Sequence, residues 1–239
     1  MNVPYALFIC VTSALLLVIV LLLIRLKKVR KRETCVLAMV TGCTEAGDPS
    51  LDGHSLNVMF LTMLLYDFLP TEYRIKLDRE KLMFASLLLD LGKKSIPSSI
   101  RNKSGKLTDK EWKLMRQHPE IGSRIIASVP SLKGVGDLVL YHHERVDGGG
   151  YHKLKGEEIP LASRVIAVTD TFSAITMIRP YRPSLPYEEA IQELKLAAGT
   201  QLDSELVKYF CEIPPKRVNE CLETVKKMME CYSHERIKE

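Results

Sequence analysis

The stretch Arg79-Glu-Lys-Leu-Met-Phe-Ala-Ser-Leu-Leu-Leu-Asp-Leu-Gly-Lys93 decides the fold class. Its apolar residues recur at helical rather than alternating spacing, and Gly92 punctuates the end. Working outward, the same period returns on both sides. Ser55 to Phe68 is apolar at helical spacing and stops before Pro70. Thr108 and Glu111 form a capping box for a helix reaching about His118, and Pro119 is suited to the first position of the next one. Pro160 does the same for residues 161–178. Residues 186–198 and 203–211 complete the pattern, and residues 216–237 form a charged amphipathic helix. No alternating strand pattern persists and no internal repeat is present, so the expected fold is all-α.

The chain has 239 residues, which suits one domain of about 150 residues plus an appendage. Hydrophobic residues make up 46% and charged residues 26%, an ordinary globular mixture that excludes a disordered or collagen-like chain. The appendage is N-terminal. Met1 to Ile24 carries no charged side chain, and residues 3–24 are apolar except for Thr12 and Ser13. As a helix, that run reaches roughly 33 Å, enough for one bilayer crossing. Arg25, Lys27, Lys28, Arg30, Lys31 and Arg32 follow it, and none precedes it. The positive-inside rule then places the N-terminus outside and the rest in the cytoplasm. The net charge of +5 is concentrated in that cluster, so no basic domain face remains and no nucleic-acid partner is expected. The expected organisation is an anchor over 1–25, a basic segment and linker over 26–49, a helical domain over 50–212 and a charged helix over 213–239. In a reducing compartment Cys35, Cys43, Cys211, Cys221 and Cys231 build no disulfide framework.

Chemistry concentrates in the helical domain. His54, His118, His142 and His143 fall at helix ends or interrupt apolar helices, Asp90 ends the run Leu-Leu-Leu-Asp, and Asp170 lies inside Arg-Val-Ile-Ala-Val-Thr-Asp. A buried carboxylate without a partner is costly. Either each aspartate caps a helix or pairs with a base such as Lys93, or the histidines and aspartates converge on cations. Four histidines and two such aspartates in one domain favour the second. A mixed imidazole and carboxylate set suits iron, manganese or zinc rather than calcium.

Taken in order, the motifs also resemble a family. His54, Leu-Asp-Leu-Gly-Lys at 89–93, His118-Pro119, His142-His143-Glu144, Asp147-Gly-Gly-Gly-Tyr151, Gly156-Glu-Glu-Ile-Pro160, Val-Thr-Asp170 and Arg179-Pro-Tyr-Arg182 are similar to the HD-GYP family over about residues 50–212. The resemblance implies an all-helical HD phosphohydrolase domain acting on cyclic di-GMP or a related nucleotide. It implies that Asp90 bridges two metals, that His118, His142 and His143 complete one site, and that His54 and Asp170 belong to the other. Lys93 would place a charge near the phosphate or pair with Asp90. Arg179, Arg182 and Tyr151 would bind substrate, and the Gly148–Tyr151 loop could also meet a protein partner.

The sequence departs from the pattern at Leu89, where the family has a histidine before the bridging aspartate. A leucine has no lone pair to donate. The resemblance therefore implies one tight transition-metal site, with iron or manganese expected, and at most one weaker site. Ser50 stands where three-metal members carry a glutamate, and His152 and Ser173 replace a proline and an aspartate of the family's pattern. The expectation is a membrane-anchored phosphodiesterase of reduced activity. The alternatives are a non-catalytic binding or interaction module and, more weakly, a phosphohydrolase for another nucleotide.

Overall fold

The computed structural model describes residues 3–46, 48, 52–177 and 184–234, with side chains at all of these except 3–11, 13, 14, 30–32, 233 and 234. Twelve α-helices are described. In chain order they are α1 (Val3–Glu45), α2 (His54–Phe68), α3 (Thr71–Arg74), α4 (Arg79–Leu88), α5 (Ser98–Arg101) and α6 (Asp109–Met115). There follow α7 (His118–Ala127), α8 (Val135–Leu140), α9 (Leu161–Thr176), α10 (Tyr187–Ala197), α11 (Ser204–Cys211) and α12 (Pro215–His234). Among the described residues the only β-type pairing is an isolated bridge between Ala198 and Leu202. The all-α expectation holds.

The chain divides into two compact units, residues 1–40 and 41–239. In the first, Leu15 to Ile24 are 42–64% exposed. Among the described residues no helix is long and apolar enough to cross a membrane. Much of the expected span, residues 3–11, 13 and 14, lies outside those whose side chains are described. Two boundaries differ from the sequence reading. The expected linker is helical as far as Glu45, and the compact second unit begins at Thr41 rather than at residue 50. Gly42 and Gly47 suggest a loop, yet Gly42 packs closely on Tyr232 and Leu56; tertiary packing overrides its low helix propensity.

In the second unit α2 is the central element. It buries residues on every side, among them Leu56, Val58, Leu61 and Leu65, as expected for a helix apolar all round. It packs against α4, α9 and α12. A buried hydrogen bond of 2.7 Å joins Thr62 of α2 to Thr169 of α9 and fixes their register. Local signals set the boundaries of the surrounding helices. The Asp78 carboxylate accepts the Glu80 and Lys81 N–H groups at the start of α4, and the Thr108–Glu111 capping box opens α6. Pro160 precedes α9, and Pro119 lies in the first turn of α7. Helix α4 ends at Leu88, before the expected Leu91, and Asp90 stands in the turn that follows. That turn packs on α7, which packs on α8.

Candidate metal centre

The second unit brings His54, Asp90, Lys93, His118, His142, His143, Tyr151 and Asp170 to one place. Each comes from an element boundary or a central helix. His54 opens α2, Asp90 and Lys93 sit in the turn after α4, His118 opens α7, His142 and His143 follow α8, and Asp170 lies on α9. Arg179 and Arg182 lie outside the described residues.

The hydrogen bonds fix the chemistry of the imidazoles. His118 Nδ1 lies 2.7 Å from the Met115 carbonyl, and His142 Nδ1 lies 2.6 Å from the Val139 carbonyl. A carbonyl can only accept, so each Nδ1 carries the proton and each Nε2 presents a lone pair. Both Nε2 atoms are buried without a hydrogen-bond partner, and so is Asp90 Oδ1. His118 Nε2 stands 3.4 Å from that oxygen. The ring centroids of His118 and His143 are 5.0 Å apart, and those of His142 and His143 are 4.0 Å apart. Nitrogens of all three histidines lie within 4.8 Å of one another. Burial pushes the His118 imidazole down to about 3 and lowers His142 as well, so neither holds a second proton near neutrality. Buried lone pairs that converge without protons are what a divalent cation requires.

A second set adjoins the first. His54 Nε2 is 2.9 Å from Asp170 Oδ1 and 3.7 Å from Asp90 Oδ2. Its Nδ1 is 2.9 Å from Ser173 Oγ, whose hydroxyl faces Met177 Sδ at 3.4 Å. Ser173, a departure from the family's pattern, therefore orients the His54 ring. Burial alone would raise both carboxyls. Lys93, His118 and His54 instead hold Asp90 well below its ordinary range, and the His54 hydrogen bond and charge do the same for Asp170. Lys93 Nζ lies 2.7 Å from Asp90 Oδ2, so in this structure it makes the ion pair. Leu89, the neighbour of Asp90, is fully buried.

Glu144, next to the paired histidines, does not join them. Its carboxylate accepts the His152 and Leu154 N–H groups at 2.6 and 2.7 Å and holds the glycine loop. His152 is exposed and meets Tyr141 edge-on, apart from the centre. Tyr151 lies with its ring centroid 5.0 Å from that of His143, and the Arg116 guanidinium lies 5.2 Å over it. A cavity of about 180 Å³ opens here, with His142, His143, Arg145, Asp170, Thr171 and Gln201 in its lining.

Sequence reasoning missed Glu45, Arg116, Arg145 and Gln201. Glu45 is buried and accepts the Ser55 N–H at 3.3 Å. Of the four, only Gln201, beside Gly199 at a helix end, carried a local signal, since Gly199 has φ +76° and such a turn is a place where a loop residue can face a site.

A family model described as "HD domain" matches residues 74–206, more than half of the chain. The chain belongs to the HD-domain family, in its HD-GYP branch. A cyclic di-GMP phosphodiesterase of Thermotoga maritima is 40% identical over 136 residues, covering 56% of this chain and 37% of that protein. The 3'3'-cGAMP-specific phosphodiesterase 3 of Vibrio cholerae is 31% identical over 173 residues, covering 72% of this chain and 37% of that protein. The chain thus spans little more than a third of either relative. The crystal structure of the cyclic GMP-AMP-specific phosphodiesterase V-cGAP3 from Vibrio cholerae superposes with a TM-score of 0.58 at 18% identity, over 82% of this chain and 52% of that one. This likeness shows the HD-type helical fold. Within the HD-GYP branch, the defining histidine–aspartate pair reads Leu89-Asp90 in this chain.

Proposed function

We propose that this chain is a metal-dependent cyclic-dinucleotide phosphodiesterase domain with one tight metal site and lowered turnover. The observation that carries the reading is the convergence of His118 Nε2, His142 Nε2 and Asp90 Oδ1, each buried without a partner, beside an open cavity. His118, His142, His143 and Asp90 would hold the tight cation, iron or manganese; His54, Asp90 and Asp170 would hold a second one weakly. A divalent cation there would supply positive charge against the phosphodiester and make a water more acidic. The chain's own residues do the positioning. Lys93 fixes Asp90, Ser173 fixes His54, and Tyr151 with Arg116 forms a wall beside His143.

Turnover is lowered because Leu89 gives the second site one nitrogen ligand fewer. The Lys93–Asp90 ion pair also favours a second reading, a module that binds the nucleotide without cleaving it, because it occupies Asp90 Oδ2. Residues 3–24 and the basic cluster behind them support attachment to a bacterial inner membrane, with the N-terminus outside and the catalytic unit cytoplasmic. The Gly148–Tyr151 loop is available to a protein partner.

The test is metal content per full-length chain, purified anaerobically in detergent, together with cyclic di-GMP hydrolysis. About one tightly held equivalent is expected. His142→Ala should strip it, and His54→Ala should change it little. Two tight equivalents in the unmodified protein would refute the weakened second site, and a metal-loaded protein without hydrolysis would favour the binding module.

A further inference from the structure

The turn that carries Asp90 and Lys93 is held from two sides. One is the packing against α7 that Gly92 permits. The other is a cluster of ion pairs outside the ligand set. Arg101, at the end of α5, reaches back to the turn, and its Nη1 donates to the Lys93 and Ile96 carbonyls at 3.2 and 3.1 Å. Its Nη2 lies 2.9 Å from Asp48 Oδ2, and the two side chains are only 12% and 9% exposed. Lys94, in the turn itself, donates to the same carboxylate oxygen at 3.2 Å and to the Thr44 carbonyl at 2.8 Å.

Asp48 belongs to the stretch that leads into His54. Its carbonyl accepts the Asp52 N–H at 2.9 Å, and its own N–H donates to the Glu45 carbonyl at 2.9 Å. Glu45 in turn accepts the N–H of Ser55, the neighbour of His54, at 3.3 Å. One carboxylate therefore ties the segment before His54 to the turn after α4. At the two ends of this tie stand His54 and Asp90, whose Nε2 and Oδ2 are 3.7 Å apart.

Stability alone does not account for Arg101. Its Nε is buried without a partner, a cost that an apolar side chain would avoid. A lysine would bring one point charge, whereas the planar guanidinium meets a carboxylate and two carbonyls in fixed directions. Such a fork makes the separation of the joined segments rigid, and a metal site tolerates only about 0.2 Å of error in its ligand distances.

We propose that Asp48 and Arg101 are positioning residues for the second cation: they fix Asp90 relative to His54, while the packing on α7 fixes Asp90 relative to His118. This role rests on the two-site reading above and supplies what sets the affinity of its second cation.

Manganese titration of the full-length protein, followed by the electron paramagnetic resonance signal of the free ion, tests it. The comparison is made in the parent and in Leu89→His, where the second site gains a nitrogen. Asp48→Asn and Arg101→Lys should each weaken the second manganese by about tenfold or more and leave the first equivalent bound. Arg101→Lys keeps a positive charge opposite Asp48 and so separates the loss of the fork from loss of the fold, which the melting temperature of each variant monitors. Asp48→Glu, which keeps the carboxylate, should recover most of the affinity. Equal weakening of both equivalents, or an unchanged second one in the folded variants, would overturn the positioning role and leave the two-site reading standing. A second equivalent absent from both the parent and Leu89→His would overturn that reading, and the positioning role with it.

Discussion

Leu89 and Glu45 are the two residues on which the site's properties turn. Leu89 is fully buried next to Asp90, while His54 and Asp170 already stand 2.9 Å apart. Leu89→His should supply the missing nitrogen and add a second metal equivalent, with cyclic di-GMP hydrolysis rising above that of the parent. Without metal the buried imidazole should cost about 1–3 kcal/mol of stability. A folded variant with two metals and no hydrolysis would move the lesion away from Leu89. Glu45 makes a separate prediction. Burial, with Asp90's charge adding to it, pushes its carboxyl up to about 8 from an ordinary 4.5. The folded state therefore binds a proton that the unfolded state has released, and stability should fall as pH rises from about 4.5 to about 8. Glu45→Gln should remove that slope, so its melting temperature should gain on the parent's between pH 5 and pH 8. Parallel curves would show that Glu45 is ionised when folded.

At the scale of elements, the centre depends on how closely the turn after α4 approaches α7. Gly92 permits that approach, since a Cβ there would lie 2.0 Å from the His118 carbonyl oxygen and 2.7 Å from Gly122 N. Both are backbone atoms and cannot swing aside. Gly92→Ala should therefore push α7 outward, cost about 1–3 kcal/mol and misplace His118, with metal content falling alongside the melting temperature. Unchanged metal content in a destabilised variant would show that His118 is held by α8 instead. The same geometry explains why the helix after Arg79 was read too long. Its apolar run continues to Leu91, but the chain turns at Asp90 to present the carboxylate, and a periodic pattern of side chains does not register that turn.

For the whole molecule, the prediction is topological. Six basic residues follow residues 3–24 and none precedes them, so a reporter fused after Glu239 should read as cytoplasmic. A periplasmic signal would remove both the orientation and access to an intracellular nucleotide. Leu15 to Ile24 are exposed, and ten successive apolar residues facing outward need either lipid or a partner.

The sequence alone determined the all-α class, most helix boundaries and the histidines and aspartates that are candidates for ligands. Helical periodicity, caps and prolines are local signals, and histidines and aspartates inside apolar runs reveal themselves by the cost of burying them. It also exposed the departure at Leu89, a matter of residue identity. What only the tertiary structure decided was everything that depends on two distant segments meeting. The Met115 and Val139 carbonyls set which nitrogen of His118 and His142 is bare, Ser173 turned out to aim His54, and Lys93 settled on Asp90. Glu45, from a segment read as linker, proved to be buried beside the site, and Gln201 reached the cavity through a turn pinned to the glycine loop. None of these partners shares a sequence period with the residue it serves, since hydrogen-bond direction and burial arise only when the chain folds back on itself.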